Sequence, residues 1–203
     1  MKNSAKSIDS TILSRIYGSG RGGSFTPSDF LDLGSRRAVD ITLHRLIHRK
    51  ILRRLARGLY EYPRRHPELG ILSPDIQKVA KALAGKSRIR MQPAGAYAAN
   101  LLGLSEQVPA RVVFLTDGPS RIVKIGRQEI RLRRTTPRNM AAAGRLSGLL
   151  MQAFRHLGWQ NITPARMAHL KRTVPPRERQ RLLRDLPLAP AWMHPFFREL
   201  AGH

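Results

Sequence analysis

Two consecutive stretches decide the fold: Thr26-Pro-Ser-Asp-Phe30-Leu-Asp-Leu-Gly34-Ser35-Arg-Arg-Ala-Val-Asp40-Ile-Thr-Leu-His-Arg45-Leu-Ile-His48, and then Ile51-Leu-Arg-Arg-Leu-Ala-Arg57-Gly-Leu-Tyr60-Glu-Tyr62. Thr26-Pro27 reads as a helix start, because a threonine side chain caps orphan N–H groups and proline at the first helical position gives up an N–H that has no partner there. Phe30, Leu31 and Leu33 supply a short apolar face before Gly34 breaks the run. Ser35 then caps a longer helix reaching Arg49. Two helices joined by a glycine turn predict a helix-turn-helix. At about 100° per residue, Val39, Leu43, Leu46 and Ile47 share one side of the longer helix. Arg37, Ile41, His44 and His48 share the other, flanked by Arg45. The two β-prone runs that meet at Arg57-Gly58 predict a hairpin, the wing of a winged helix.

Upstream, Ile8, Ile12, Leu13 and Ile16 repeat at helical spacing and stop at the glycine-rich Gly18-Ser-Gly-Arg-Gly-Gly23. Gly18, Gly20 and Gly23 satisfy G-x-G-x-x-G, but a dinucleotide site needs a strand before that pattern and a helix straight after it. Here a helix comes first, so the glycines read as a flexible connection into an extended Ser24-Phe25-Thr26.

The composition sets the kind of partner. The 203 residues are 41% hydrophobic and 25% charged, a globular balance with room for two modest domains. There is no cysteine, so disulfides, thiolate zinc sites, iron–sulfur clusters and cysteine nucleophiles are excluded. Lys plus Arg number 37 against 13 Asp plus Glu, a formal charge of +24 that points to a polyanion. No apolar run approaches the roughly 18 residues of a spanning helix, and no apolar signal region follows Met1-Lys2. The expectation is a cytoplasmic protein that meets nucleic acid and no membrane. Three basic stripes stand out: residues 35–65 carry 10 basic against 2 acidic groups, and residues 121–138 and 166–184 carry 7 against 1 each. For the two later stripes a solvated face and a phosphate contact both stand open.

A recognition helix meets base edges mainly through its first turns, which nominates Ser35, Arg36, Arg37, Asp40, Ile41, His44 and Arg45. Arg37 offers a bidentate guanine contact, and an exposed Ile41 suits a thymine methyl. Asp40 has three readings: accepting from cytosine, repelling phosphate in a wrong register, or pairing along the helix with Arg36 or His44, of which we favour the ion pair. Arg57 near the hairpin tip suits phosphate or a minor groove, and Arg53 and Arg54 lie on opposite strand faces, so only one of them reaches DNA. His44 and His48 have the spacing of a two-histidine metal pair, but no glutamate base and no cysteine complete it, so no metal and no cofactor is expected.

Beyond Tyr62, the prolines and Arg64-Arg65-His66 read as an extended basic connector, with a domain boundary near residues 63–73. A helix opens at Ser73-Pro74-Asp75 and ends at Gly85, a short strand is predicted over residues 88–91, and a small-residue helix over residues 93–102 carries Tyr97 as a core residue rather than a stacking platform. Residues 111–116, 121–125 and 129–133 read as three strands of an antiparallel meander. In the last of these an apolar face alternates with a basic one, which makes Arg131, Arg133 and Arg134 a second candidate surface. Thr136-Pro137 precedes a helix in which Leu146, Leu149, Leu150, Ala153, Phe154 and Leu157 form an amphipathic stripe, Thr163-Pro164 and Pro175-Pro176 start two shorter helices, and Trp192, Phe196, Phe197 and Leu200 dock at the end of the chain. The whole reads as α+β: a winged helix-turn-helix with connector over residues 1–66, then over 67–203 a small mixed domain whose antiparallel meander packs on helices.

Two other classes compete with duplex DNA binding. Asp117, Glu129 and Arg131 echo the D…E-x-K hairpin of magnesium-dependent nucleases, yet arginine does not replace the lysine freely and no third acid lies near. With no G-x-S-x-G elbow either, no catalytic residue is assigned and an enzyme is not expected. An RNA-binding or general nucleic-acid-binding protein shares the charge but lacks aromatic interleaving, since only 6% of residues are Phe, Trp or Tyr.

Phe25-Thr-Pro-Ser-Asp-Phe30, Gly34-Ser35, Leu43-His-Arg-Leu46 and Leu55-Ala-Arg-Gly-Leu-Tyr60 together resemble the N-terminal winged helix of the AbiEi-type antitoxins of type IV toxin–antitoxin systems. Gln92-Pro-Ala-Gly-Ala-Tyr97-Ala-Ala-Asn100-Leu-Leu-Gly-Leu-Ser105 and Val113-Phe-Leu-Thr-Asp-Gly118 resemble the C-terminal part of compact AbiEi-like proteins, so the likeness spans roughly residues 8–200. It implies a DNA-binding antitoxin that represses its own promoter through the winged helix and counteracts a nucleotidyltransferase toxin through the second domain. Only the first half of that implication has independent support in the residues. A homodimer would suit a palindromic operator.

Overall fold

The computed structural model describes residues 7–85 and 89–202, and the chain forms two compact units, Met1–Arg88 and Ile89–His203. The first unit begins with α1 (Ile8–Gly18), whose Ser7 side chain accepts the Ser10 N–H at 3.2 Å. Ile12 and Ile16, one turn apart, are fully buried. β1 (Ser24–Phe25) leads into a single 3-10 turn, Pro27–Phe30, where the sequence predicts a short α-helix. The turn stays tight because the Asp29 carboxylate reaches back to the Thr26 N–H at 2.7 Å. α2 (Arg36–His48) starts at Ser35, which accepts the Ala38 N–H, and buries Val39, Leu43 and Leu46 with Phe30, Leu52 and the α1 isoleucines in one core.

β2 (Arg53–Ala56) and β3 (Leu59–Glu61) form the hairpin, with Gly58 at its tip at φ +68°, a conformation glycine adopts without strain. β1 adds to β3, giving the antiparallel order β1-β3-β2. Helix, short strand, helical turn, helix and hairpin in this order make a winged helix-turn-helix.

The first unit does not end there. Where the sequence suggests an extended connector, β4 (Arg65–His66) and β5 (Gly70–Ile71) pair as a two-stranded ribbon. α3 (Ile76–Ala84), capped by Asp75, then buries Val79, Ala80 and Leu83 and packs on β1. An amphipathic helix must cover its apolar face, and α3 does so on the first unit. The units therefore divide after residue 88 rather than near residues 63–73.

The second unit is built on a four-stranded sheet. β6 (Met91–Ala94) lies three residues later than the strand expected at 88–91, of which Arg88 lies outside the described residues. β7 (Arg111–Thr116), β8 (Arg121–Ile125) and β9 (Gln128–Arg134) occur where strands are expected, but not as a meander. The order is β6-β7-β9-β8, with β7 parallel to β9 and the other two pairings antiparallel. Burial explains the swap: Ile130 and Leu132 make β9 apolar enough for an interior position, whereas β8 exposes Arg121, Ile122 and Lys124 and suits an edge.

α4 (Gly95–Leu101), α5 (Pro137–Met140), α6 (Leu146–Leu157), α7 (Pro164–Thr173), α8 (Pro176–Arg184) and α9 (His194–Ala201) complete the unit. Leu150, Phe154, Leu170, Leu182 and Phe197 form its main core, and Phe197 and Leu200 dock the chain end into it. Tyr97 is 7% exposed and meets Phe114 edge-on at 5.5 Å, a core residue as its leucine neighbours suggest. Among the described residues no helix is long and apolar enough to cross a membrane.

Candidate nucleic-acid interface

α2 presents two unlike faces. Its inner face is the core just described; its outer face leaves Ser35, Arg36, Arg37, Ile41, His44, Arg45 and His48 exposed, with Asp40 half-buried. Ile41 keeps 42% of its surface in solvent and lies outside the core cluster of this unit.

Ion pairs sort the arginines. Arg36 donates to Asp40 at 2.9 Å, the favoured pairing one helical turn apart. Arg45 donates to Asp9 at 3.0 Å, and the Thr42 hydroxyl donates to the other Asp9 oxygen, so α1 and α2 are tied through one carboxylate. The Thr42 hydrogen bond, and after it Arg45, hold the Asp9 carboxyl below the usual carboxylate range. Arg37 has no hydrogen bond or ion pair among the described residues and remains available. The His44 and His48 rings sit with their Nε2 atoms 3.2 Å apart, each the other's partner, one donating and one accepting.

In the hairpin the two adjacent arginines part company. Arg53 turns inward: it donates through Nε to Glu61 at 2.5 Å and through Nη2 to the Leu72 carbonyl at 2.7 Å, and Glu61 is fully buried. Arg54 is exposed, with only a 3.4 Å contact to the Ala56 carbonyl, and Arg57 at the tip is exposed and unpaired among the described residues. Outward-facing cations of the wing are thus Arg54 and Arg57, and Arg53 is structural.

Sequence reasoning missed three contacts that hold this unit. Asp9, 33 and 36 residues away from its partners, is the link between α1 and α2. Arg15 makes a two-pronged pair with Asp32 at 2.6 and 2.8 Å and also donates to the Asp29 carbonyl. Arg21 stacks over Tyr62 at 4.8 Å. For the two carboxylates, Asp9 and Asp32, charge complementarity was the available signal, and it names no partner when basic residues are this abundant; nothing local marks the Arg21–Tyr62 stack. The glycine pattern after α1 forms a turn: Gly22, at φ +83°, donates its N–H to the Tyr62 carbonyl at 2.6 Å.

In the second unit, Arg131, Arg133 and Arg134 do not make one surface. Arg131 pairs with Glu129 at 3.0 Å, Arg133 lies on the same strand face, and Arg134, one residue on, lies on the other. The nuclease-like set is also dispersed. Glu129 stands opposite Arg111 and is paired by it at 3.1 Å, while Asp117 follows Thr116 at the far end of β7. Six residues of strand, about 20 Å, separate the two carboxylates, too far to share a metal ion. Asp117 instead accepts from the Arg90 N–H at 2.8 Å and guanidinium at 2.9 Å, which hold it below the usual carboxylate range.

No curated protein and no solved structure matches this chain. The profile described as "Family of unknown function (DUF6088)" matches residues 11–182, from α1 into α8 and so across both units, and the chain therefore belongs to the DUF6088 family.

Proposed function

We propose that this protein is a double-stranded-DNA-binding autorepressor, acting in the cytoplasm on its own promoter, and the antitoxin of a type IV toxin–antitoxin operon. The observation that carries the DNA-binding reading is the outer face of α2, where Arg37, unpaired among the described residues, an exposed Ile41 and the His44–His48 pair stand on a helix whose opposite face buries Val39, Leu43 and Leu46 in the core. A helix docked in a major groove uses such groups: Arg37 for a guanine edge, Ile41 for a thymine methyl, His44 for a polar base contact. Arg54 and Arg57 on the wing supply backbone or minor-groove contacts. Arg36 and Arg45, already paired, contribute charge near phosphate rather than base recognition, and Ser35 serves as the cap.

The antitoxin half of the reading rests on the resemblance to AbiEi-type antitoxins, which implies a nucleotidyltransferase toxin as functional partner. A homodimer on a palindromic operator fits the DNA-binding half. Co-expression with a nucleotidyltransferase encoded beside this gene tests the antitoxin half: growth is expected to be rescued, and persistent toxicity with soluble protein present would reject it. Titration of DNA from upstream of the gene tests the repressor half, and a preference for structured RNA over that duplex would overturn it.

A further inference from the structure

The second unit contains a cavity that the DNA-binding reading does not use. Its volume is about 300 Å³, and it opens between the sheet and the helices α5 and α6. The floor is apolar, made by Ala94, Val113 and Leu115 of β6 and β7. The walls carry two guanidinium groups, Arg133 from β9 and Arg155 from the last turn of α6, with the His156 imidazole beside them. No carboxylate is among the residues that line it.

Two details make this a built site rather than a chance gathering of charge. Arg155 is held in place, since its Nη1 donates to Asn139 Oδ1 at 3.1 Å and Asn139 in turn donates to the Thr135 hydroxyl at 2.9 Å. Gln152 is 7% exposed, lines the cavity, and its amide has no hydrogen-bond partner among the described residues. Its amide atoms are not among the enclosed unpartnered polar atoms of the described residues, so they open onto the cavity and can both donate to and accept from what enters it.

We propose that the second unit binds a nucleoside phosphate in this cavity, with Arg133 and Arg155 holding the phosphate, the apolar floor taking the flat face of the base, and Gln152 pairing with the base edge. Guanidinium groups suit phosphate oxygens. A glutamine amide can donate and accept at once, which matches the N6/N7 edge of adenine. The volume lies at the small end of the roughly 300–1,000 Å³ of small-molecule sites, room for one nucleotide and not for a dinucleotide. A second basic cavity, lined by Arg145, Arg181 and Arg184, differs in the respect that matters: Asp185 is part of its lining and already binds Arg145 at 2.6 Å.

Calorimetric titration of the full-length protein with adenosine monophosphate tests this directly, with ribose 5-phosphate as the ligand lacking a base. Saturable one-to-one binding is expected, and ribose 5-phosphate should bind at least about tenfold more weakly, the loss expected when a buried amide goes unpaired. The Arg133→Ala/Arg155→Ala double variant changes two exposed side chains and should lose both ligands. Gln152→Leu should bring adenosine monophosphate down to the ribose 5-phosphate level and leave the latter unchanged. Arg181→Ala/Arg184→Ala, which removes the same charge from the other cavity, should bind as wild type. Failure of adenosine monophosphate to saturate, equal binding of the two ligands by the wild type, or equal losses in the two arginine double variants would overturn the proposal.

Discussion

Replacing Arg53 with alanine separates structural from DNA-facing arginines at adjacent positions. Glu61 is fully buried; one of its oxygens receives the Arg53 Nε–H at 2.5 Å, and Oε1 has no partner among the described residues. Arg53→Ala therefore leaves a buried carboxylate with nothing to offset its lost hydration, and it also strips the Leu72 carbonyl of its donor. Breaking a buried pair from one side costs about 3–5 kcal/mol, and because the Arg53 side chain keeps 28% exposure the lower end, about 3 kcal/mol, applies. For a unit of this size that lowers the unfolding midpoint by about 12–24 °C, read by circular dichroism. Arg54→Ala should change stability by less than about 0.5 kcal/mol. Its effect should appear instead as weaker binding to every DNA sequence and a shallower salt dependence. Arg53→Met/Glu61→Leu removes both charges and should recover most of the lost stability. If Arg53→Ala unfolds with the wild type and weakens DNA binding as much as Arg54→Ala does, the inward placement of Arg53 is wrong.

Acid stability should report Asp9. Its carboxyl titrates below the ordinary range near 4, so the stability it adds is full above that range and is lost as pH falls through the lower folded value. Unfolding midpoints measured from pH 6 to about pH 2 should fall less steeply for Asp9→Asn than for the wild type; parallel curves would contradict the link between α1 and α2. Gly148→Ala in α6 should destabilise the second unit although helix propensity favours alanine by about 1 kcal/mol. The added Cβ would fall on the Ala142 carbonyl oxygen and close to Gln92, a backbone clash worth about 1–3 kcal/mol or more, so denaturant unfolding should show a net loss. Arg37→Ala should cost about 1–3 kcal/mol of DNA binding and relax specificity at one base pair, without changing the unfolding midpoint.

The wing shows how far the sequence could be read. Alternation along a strand predicts that Arg53 and Arg54 face opposite ways, and they do, but it does not say which one faces in. A two-residue turn at Arg57-Gly58 with an unbroken ladder would set Arg54 across from Glu61. The structure instead skips Leu55 between the pairs Ala56↔Leu59 and Arg54↔Tyr60, and this bulge brings Arg53 to Glu61. One extra residue exchanges the two roles, and no local propensity marks it.

Helices were legible for the opposite reason. α1 and α2 begin and end within a residue or two of their expected bounds, because a 3.6-residue apolar repeat and a cap are both written locally, whereas the single helix expected after Thr136-Pro137 is split into α5 and α6, and only its end at Leu157 agrees. The order of the four-stranded sheet was not, since pairing β7 with β9 depends on burial across 18 positions of sequence and not on period. The same holds for Gln152, which reads as one more residue of the amphipathic α6 until its unpaired amide is seen facing a cavity.

The proposed DNA-binding role is tested most directly by fluorescence anisotropy of the full-length protein with duplex from upstream of its own gene and with a scrambled duplex, each at two salt concentrations. A preference for the upstream duplex that survives the higher salt, and that Arg37→Ala diminishes, is the expected result. Equal and steeply salt-dependent binding to both duplexes, unchanged by Arg37→Ala, would contradict it and leave the +24 charge as a general grip on nucleic acid.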